Sequence, residues 1–129
     1  MESWHSYISE LEMSKVIDRA LIVKMGGEKK TMTMAWMFDP DEVFRLGELM
    51  VQQDENVPLL LQDAEYHIQE NDGTMAIGKT IGSSQEPRVL AIGKTKTYLI
   101  VAVALVSTDK GKVRKEVQWI VDHITGEGY

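Results

Sequence analysis

The chain has 129 residues and a formal net charge of −6 at pH 7, with 43% hydrophobic and 26% charged residues. This composition is typical of a globular domain and excludes a disordered chain. The absence of cysteine excludes a disulfide framework, a zinc–thiolate centre and a thiol nucleophile. The longest apolar run, YLIVAVALV, is about half as long as a membrane-spanning helix needs to be. We therefore expect one cytoplasmic domain over residues 1–129.

The first half of the chain predicts a helix, two strands and a second helix. SWHSYISELEM places apolar residues at helical spacing, with Ser3 as the cap. RALIVKM predicts a strand that ends at a glycine turn, and TMTMAWMF predicts a partly buried second strand. Asp39 and Pro40 are typical of a helix start. This helix should end at Gln52 or Gln53 and bury Val43, Leu46, Leu49 and Met50.

From Val57 onward the sequence predicts antiparallel strands and a last helix. VPLLLQ, EYHIQE, TMAIGKT and RVLAIG have strand patterns, and the Asn71-Asp72-Gly73 triplet favours a hairpin turn. KTYLIVAVALV is apolar throughout, as expected of a central strand covered on both faces. The last helix should run from about Lys112 to Thr125 and bury Val113, Val117, Ile120, Val121 and Ile124. The order predicts an α+β fold with a central antiparallel β-sheet flanked by helices, the N- and C-terminal helices being adjacent on one face.

Motifs for catalysis or metal binding are weak in this sequence. GTMAIGKT, which begins at Gly73, has the letters of a phosphate-binding loop, but that loop needs a helix starting at its lysine. Here Met75 and Ile77 alternate as they would in a strand. The histidines at positions 5, 67 and 123 lack metal-ligand spacing, and the serines lack a nucleophile elbow. We therefore expect a binding protein with no catalytic residue, metal or cofactor.

Positive charge is concentrated in one quarter of the chain. From Arg88 to Lys115 there are seven basic residues and one acidic residue, so this segment carries +6 and the rest carries −12. A solvated face is the simpler interpretation, although such a segment can also steer an acidic partner. Nucleic acid is not an expected partner, because aromatic residues are not interleaved with these bases.

Aromatic residues lie near both ends of the chain, where most proteins are polar and frayed. If the terminal helices lie side by side, four of these side chains can converge: Trp4, Tyr7, His123 and Tyr129. A strand aromatic, Trp36, would then supply the floor between them. Such a surface suits a polyproline helix, because proline rings stack on flat aromatics and the indole and phenol groups donate hydrogen bonds to its carbonyls.

The chain resembles the profilin family over essentially its full length. SWHSYI, TMTMAWM, KTKTYLIVAV and EVQWIVDHITGEGY follow the order of the family's motifs. The resemblance implies the sheet-and-helix fold predicted above, with monomeric actin bound on one face and polyproline on another. The polyproline site that it implies consists of Trp4, Tyr7, Trp36, His123, Ile124 and Tyr129.

The actin site implied by the resemblance lies on the later strands and the start of the last helix. Its residues are Tyr66, His67, Ile68, Lys79, Gly111, Arg114 and Lys115. The sequence departs from the family at Glu65, where many members carry lysine, and at Asp109, where animal forms commonly carry histidine. Phosphoinositide lipids are further partners that the resemblance implies, through Lys110, Lys112, Arg114 and Lys115.

Two functions follow as expectations. By resemblance, the chain is a monomeric, non-catalytic protein of the cytoplasm and cytoskeleton that regulates actin polymerisation and docks on proline-rich proteins. The alternative is a roadblock-like or sensor-like α/β interaction domain that acts through sheet-mediated dimerisation or regulates a small GTPase. The alternative would bury a sheet edge in a dimer and leave the terminal aromatics without a ligand.

Overall fold

The computed structural model describes residues 4–13, 17–25, 30–34, 36–62, 64–81, 87–105 and 110–129, without the side chains of residues 4, 5, 30 and 110. The helices and strands within these ranges follow the predicted order. They are α1 (Trp4–Met13), β1 (Arg19–Lys24), β2 (Lys30–Met32), α2 (Pro40–Gln52), β3 (Val57–Leu61), β4 (Ala64–Asn71), β5 (Met75–Thr80), β6 (Arg88–Lys94), β7 (Tyr98–Leu105) and α3 (Lys110–Gly126).

The strands form one antiparallel sheet in the order β2-β1-β7-β6-β5-β4-β3. Strand β7 lies between β1 and β6, with Ala102 opposite Ala20 on one side and Ala91 on the other. Residues 98–104 of β7 are all buried. The prediction of a central strand covered on both faces is therefore confirmed.

Each face of the sheet packs against different helices. On the first face, which we call the terminal-helix face, α1 and α3 share one core with β5, β6, β7 and β1. The predicted apolar stripe of α3 lies in this core: Val113, Val117, Ile120, Val121 and Ile124. The opposite face, the α2 face, buries Val43, Leu46, Leu49 and Met50 as predicted. The α+β fold with adjacent terminal helices is confirmed.

Helix α2 begins and ends at the residues that the sequence indicates. The side chain of Asp39 accepts a hydrogen bond from the backbone N–H of Asp41 at 2.9 Å, and Pro40 occupies the first turn. Gln53 ends the helix in the left-handed conformation, with φ of 55°. Local chemistry therefore explains where this helix begins.

The second strand is shorter than TMTMAWMF predicts, and this part of the prediction is wrong. Strand β2 ends at Met32, and the backbone N–H of Trp36 donates to the carbonyl of Thr33 at 3.1 Å in a turn. The chain leaves the sheet after Met32 and next forms α2, which covers the α2 face. Trp36 follows the chain to that face, where only 4% of it is exposed.

The segment with phosphate-loop letters forms strand β5, as predicted. Lys79 and Thr80 continue the strand, opposite His67 and Tyr66 of β4. A Cβ atom on Gly78 would lie 2.9 Å from the carbonyl oxygen of His67. The glycine is therefore explained by the close approach of two strands.

Candidate binding surfaces

Helices α1 and α3 bring three rings together on the terminal-helix face. The rings of Tyr7 and Trp119 are 6.2 Å apart and nearly perpendicular, and the ring of His123 lies 4.0 Å from that of Trp119. The Nδ1 atom of His123 is 2.8 Å from the carbonyl oxygen of Trp119, so the tautomer with a proton on Nδ1 donates a hydrogen bond there. Trp119 is 45% exposed. An indole held between two rings is a preformed stacking surface.

The end of the chain folds back onto the sheet. The carbonyl of Tyr129 accepts a hydrogen bond from the N–H of Thr97 at 2.8 Å, and its ring meets that of Tyr98 edge to face at 5.8 Å. The Tyr129 side chain is half-buried. Tyr98 and Tyr7 belong to the same terminal-helix core, and Tyr129 packs against it. We therefore call Tyr98 and Tyr129, together with Tyr7, Trp119 and His123, the aromatic surface.

The predicted polyproline residues are only partly brought together. Tyr7, His123 and Tyr129 contribute to the aromatic surface, although Tyr7 is mostly buried. Ile124 is fully buried in the core below, and the side chain of Trp4 lies outside the described residues. The expectation that Trp36 forms a floor between the terminal helices is wrong, because Trp36 lies on the α2 face.

Trp119 was missed as a candidate, although it stands in the motif EVQWIVDHITGEGY. Helical spacing could have identified it. Position 119 falls beside the buried stripe formed by positions 113, 117, 120 and 124, so its side chain has to point partly toward solvent. The family motif alone did not show this.

A second candidate surface lies on the same face, toward the outer strands β3 and β4. Helix α3 packs mainly on β5, β6 and β7, and Leu60 of β3, Glu65 of β4 and Lys79 of β5 are exposed. Lys79 lies two residues from Ile77 of the terminal-helix core, so its side chain is on the same face as that of Ile77. His67 is directly opposite Lys79 on the neighbouring strand and therefore lies on this face as well. Leu60 and Ile81 are 59% and 39% exposed. We call Leu60, Glu65, His67, Lys79 and Ile81 the strand surface.

The first half of α3 borders the strand surface. The Nη1 atom of Arg114 donates to a carboxylate oxygen of Glu70 on β4 at 2.8 Å. Lys115 is exposed and, with Lys112, lines a cleft of about 540 Å³ that also contains Glu10, Glu116 and Trp119. Gly111 is half-buried, and the side chain of Lys110 lies outside the described residues. The predicted lipid-binding bases are therefore accompanied by acids.

The sequence analysis placed Tyr66 and Ile68 in the actin site, but in the structure neither side chain can contact a partner. Both side chains point from β4 into the core on the α2 face and are fully buried. Burial raises the pKa of the Tyr66 hydroxyl, against the opposing effect of the Arg88 and Arg19 charges. Alternating residues of a strand face opposite sides, so a site that includes His67 excludes its two neighbours.

The +6 segment does not form one continuous basic face. Arg88 lies at the start of β6, where it is 3.7 Å from the carboxylate of Asp18, and Lys94 lies at the other end of that strand. A strand of this length separates the two by about 20 Å.

In the described part of the chain, no three or more histidine, aspartate and glutamate side chains form a group that could hold a metal ion. No helix among the described residues is long and apolar enough to span a membrane.

Comparison with solved structures finds the same fold in profilins. The profilin of Schizosaccharomyces pombe is 22% identical, with a TM-score of 0.83 over 98% of this chain and 100% of that chain. Mouse profilin IIa, solved in complex with a double repeat from the FH1 domain of mDia1, is 17% identical, with a TM-score of 0.79 over 98% and 99% of the two chains. LokiProfilin1, solved in complex with rabbit actin, is 19% identical, with a TM-score of 0.78 over 98% and 96%.

Sequence comparison assigns the family independently of these structures. Comparison with curated protein sequences gave no match. The profilin family model matches residues 2–129, which is nearly the whole chain. The chain therefore belongs to the profilin family.

Proposed function

We propose that this protein binds monomeric actin and regulates its polymerisation. The family is a non-enzymatic family of actin-binding proteins, and a member of the same fold has been solved with rabbit actin. The observation that carries the proposal is the strand surface. Its two exposed aliphatic side chains, Leu60 and Ile81, lie beside the charged side chains of Glu65 and Lys79 on the terminal-helix face. A protein interface commonly combines such an apolar centre with a polar rim.

The contacts at the start of α3 extend this surface. Arg114 and Glu70 form an ion pair in which both side chains are nearly half exposed, so the pair contributes little to stability. The ion pair holds the Arg114 guanidinium beside the strand surface, where the guanidinium can donate hydrogen bonds to a bound protein. Bound actin monomers would be withheld from or delivered to filament ends, and nucleotide exchange on actin would be accelerated, as the family resemblance implies.

We also propose that the aromatic surface binds proline-rich segments. The support is the exposed Trp119 indole, which is packed between Tyr7 and His123, together with the mouse profilin that was solved with an FH1 repeat. The stacking surface would be Trp119, His123 and Tyr129, without Trp36. A cytoplasmic monomer of one domain, residues 1–129, is part of the same proposal.

Assembly of pyrene-labelled rabbit actin tests the actin function. With increasing protein, we expect slower assembly and less polymer at steady state, because bound monomers do not nucleate filaments. A Leu60→Asp variant should lose this effect, since a carboxylate would have to be desolvated in the apolar centre of the interface. Unchanged assembly at a large excess of folded wild-type protein would contradict the proposal.

A further inference from the structure

A groove on the α2 face is not used by either proposed function. Helix α2 exposes Phe44 and Val51, which are 67% and 63% accessible. They are two turns apart on one side of the helix, and the cavity beside them is also lined by Met25, directly after β1, and by Leu99 of β7. This cavity has a volume of about 330 Å³. We call Met25, Phe44, Gly47, Val51 and Leu99 the α2 groove.

Gly47 keeps this groove open. It lies in the interior of α2, between Phe44 and Val51, although glycine is the least favourable helix residue after proline. Among the described residues, and apart from the neighbouring backbone of α2 itself, the atom within 4 Å of the position that a Cβ would take is the Cε atom of Met25, at 3.8 Å. An alanine would therefore fit, so close packing does not explain the glycine. The missing side chain instead deepens the cavity between the two exposed apolar residues.

The charges along the groove identify the kind of ligand. Asp41 and Glu48 are exposed and lie three and four residues from Phe44, so they stand beside it on the helix surface. Arg45, by contrast, is turned about 100° from Phe44 around the helix. Among the described residues that line the groove, Glu48 is the one that carries a charge, whereas Arg45 lies beside Asp41 and Glu48 on the helix surface, outside this lining. A ligand with apolar anchors and basic flanks would be complementary.

We propose that the α2 groove binds a short amphipathic helix of a partner protein, with bulky aliphatic or aromatic anchors and flanking lysine or arginine residues. Phe44 and Val51 are about 10 Å apart along α2. The i and i+7 anchors of a ligand helix lying along the groove are separated by the same distance. The groove and the terminal-helix face lie on opposite sides of the sheet. A ligand in the groove would leave the aromatic surface and the strand surface accessible.

Two synthetic peptides provide the test: LKKLLKLLKKLLKL and its acidic counterpart LEELLELLEELLEL. We would titrate each into ¹⁵N-labelled protein and follow the backbone amide signals. The lysine peptide should shift the amides of the α2 groove, and its dissociation constant should be at least about tenfold lower than that of the glutamate peptide. Equal affinities, or shifts confined to other surfaces, would overturn the proposal.

Variants at Gly47 separate groove binding from general attraction to an acidic protein. Gly47→Leu should fill the cavity and weaken binding of the lysine peptide about tenfold, whereas Gly47→Ala should retain it. Circular dichroism and thermal unfolding would show that both variants are folded. Equal affinities of the two variants would refute a role for the cavity.

A charge-reversed variant provides an independent readout. Asp41→Lys combined with Glu48→Lys should reverse the preference, so that the glutamate peptide binds more tightly.

Light scattering of the free protein completes the test. A dimer that Gly47→Leu dissociates would assign the groove to a second copy of this chain, and would overturn the proposal.

Discussion

Asp72 stabilises the turn between β4 and β5 through one carboxylate oxygen. Its Oδ1 atom accepts hydrogen bonds from the backbone N–H groups of Thr74 and Met75, at 2.9 and 2.8 Å, and from the Thr74 hydroxyl at 2.9 Å. The two backbone bonds hold the pKa of Asp72 below its usual range. A carboxyl group with a lower pKa in the folded state stabilises the fold above its unfolded pKa. This contribution is lost as the pH falls toward the folded pKa.

The Asp72→Asn variant tests this contribution. We expect it to lower the free energy of unfolding at pH 7 by up to about 1 kcal/mol, a modest effect because solvent screens this exposed carboxylate. The difference from wild type should shrink as the pH falls below the unfolded pKa of about 4, because the unfolded state then takes up the proton before the folded state does. Urea denaturation at several pH values measures it. Glu12→Gln, at an exposed site on α1, controls for the loss of one negative charge; an Asp72→Asn effect equal at pH 7 and 3 would contradict the assignment.

At the scale of elements, α3 depends on a glycine below it. A Cβ on Gly93 of β6 would lie 2.5 Å from Cγ2 of Val121 and 2.8 Å from Cγ1 of Val117. Any larger side chain would push the helix away from the sheet. Helix α3 carries Trp119 and His123, so its position on the sheet determines where these rings of the aromatic surface lie, as well as how the core packs.

Gly93→Val should therefore affect stability and ligand binding together. We expect the free energy of unfolding to fall by about 2 kcal/mol or more, because overpacking forces backbone shifts. Binding of a proline decamer, followed by tryptophan fluorescence, should weaken in the same variant. Gly126→Ala is the control, since no atom of the described residues outside the adjoining helix backbone lies within 4 Å of its Cβ position. Wild-type stability in Gly93→Val would show that α3 does not rest on this residue.

Local chemistry made most elements predictable from the sequence. The cap at Asp39, the apolar stripe of α3 and the Asn71-Asp72-Gly73 turn depend on neighbouring residues, and the structure has all three. The tertiary role of Asn71 could not be predicted. Its buried side chain donates to the carbonyls of Leu49 and Asp54, and so joins the hairpin to the end of α2. That contact depends on how separate elements pack.

The candidate sites were less predictable because a motif gives a position in the chain and not a face of the sheet. Tyr66 and Ile68 alternate with His67, and this alternation could have shown that they point away from it. Trp36 is a different case. Its face depends on where β2 ends and how the chain crosses to α2, and neither is encoded in the motif around it.

At the scale of the whole molecule, the two proposed binding surfaces lie at opposite ends of the sheet. Tyr129 is hydrogen-bonded to Thr97 in the turn that joins β6 and β7. The first residue of β5, Met75, is opposite Gly93 and therefore lies close to that turn. Lys79 lies near the other end of β5. The length of β5 places the two surfaces roughly 15–20 Å apart. The two proposed surfaces are therefore far enough apart for actin and a proline-rich segment to occupy them at the same time.

This separation predicts opposite effects for two variants. Tyr129→Ala should weaken proline-decamer binding but leave actin binding intact, because its ring packs on Tyr98 far from the strand surface. Lys79→Glu should do the reverse and slow association with actin most at low salt, where charges are least screened. Lys96→Glu makes the same charge change at the β6–β7 turn and should leave actin association unchanged. Fluorescence titration and stopped-flow mixing with pyrene-actin measure the two activities; parallel losses of both in either variant would show that the surfaces are not independent.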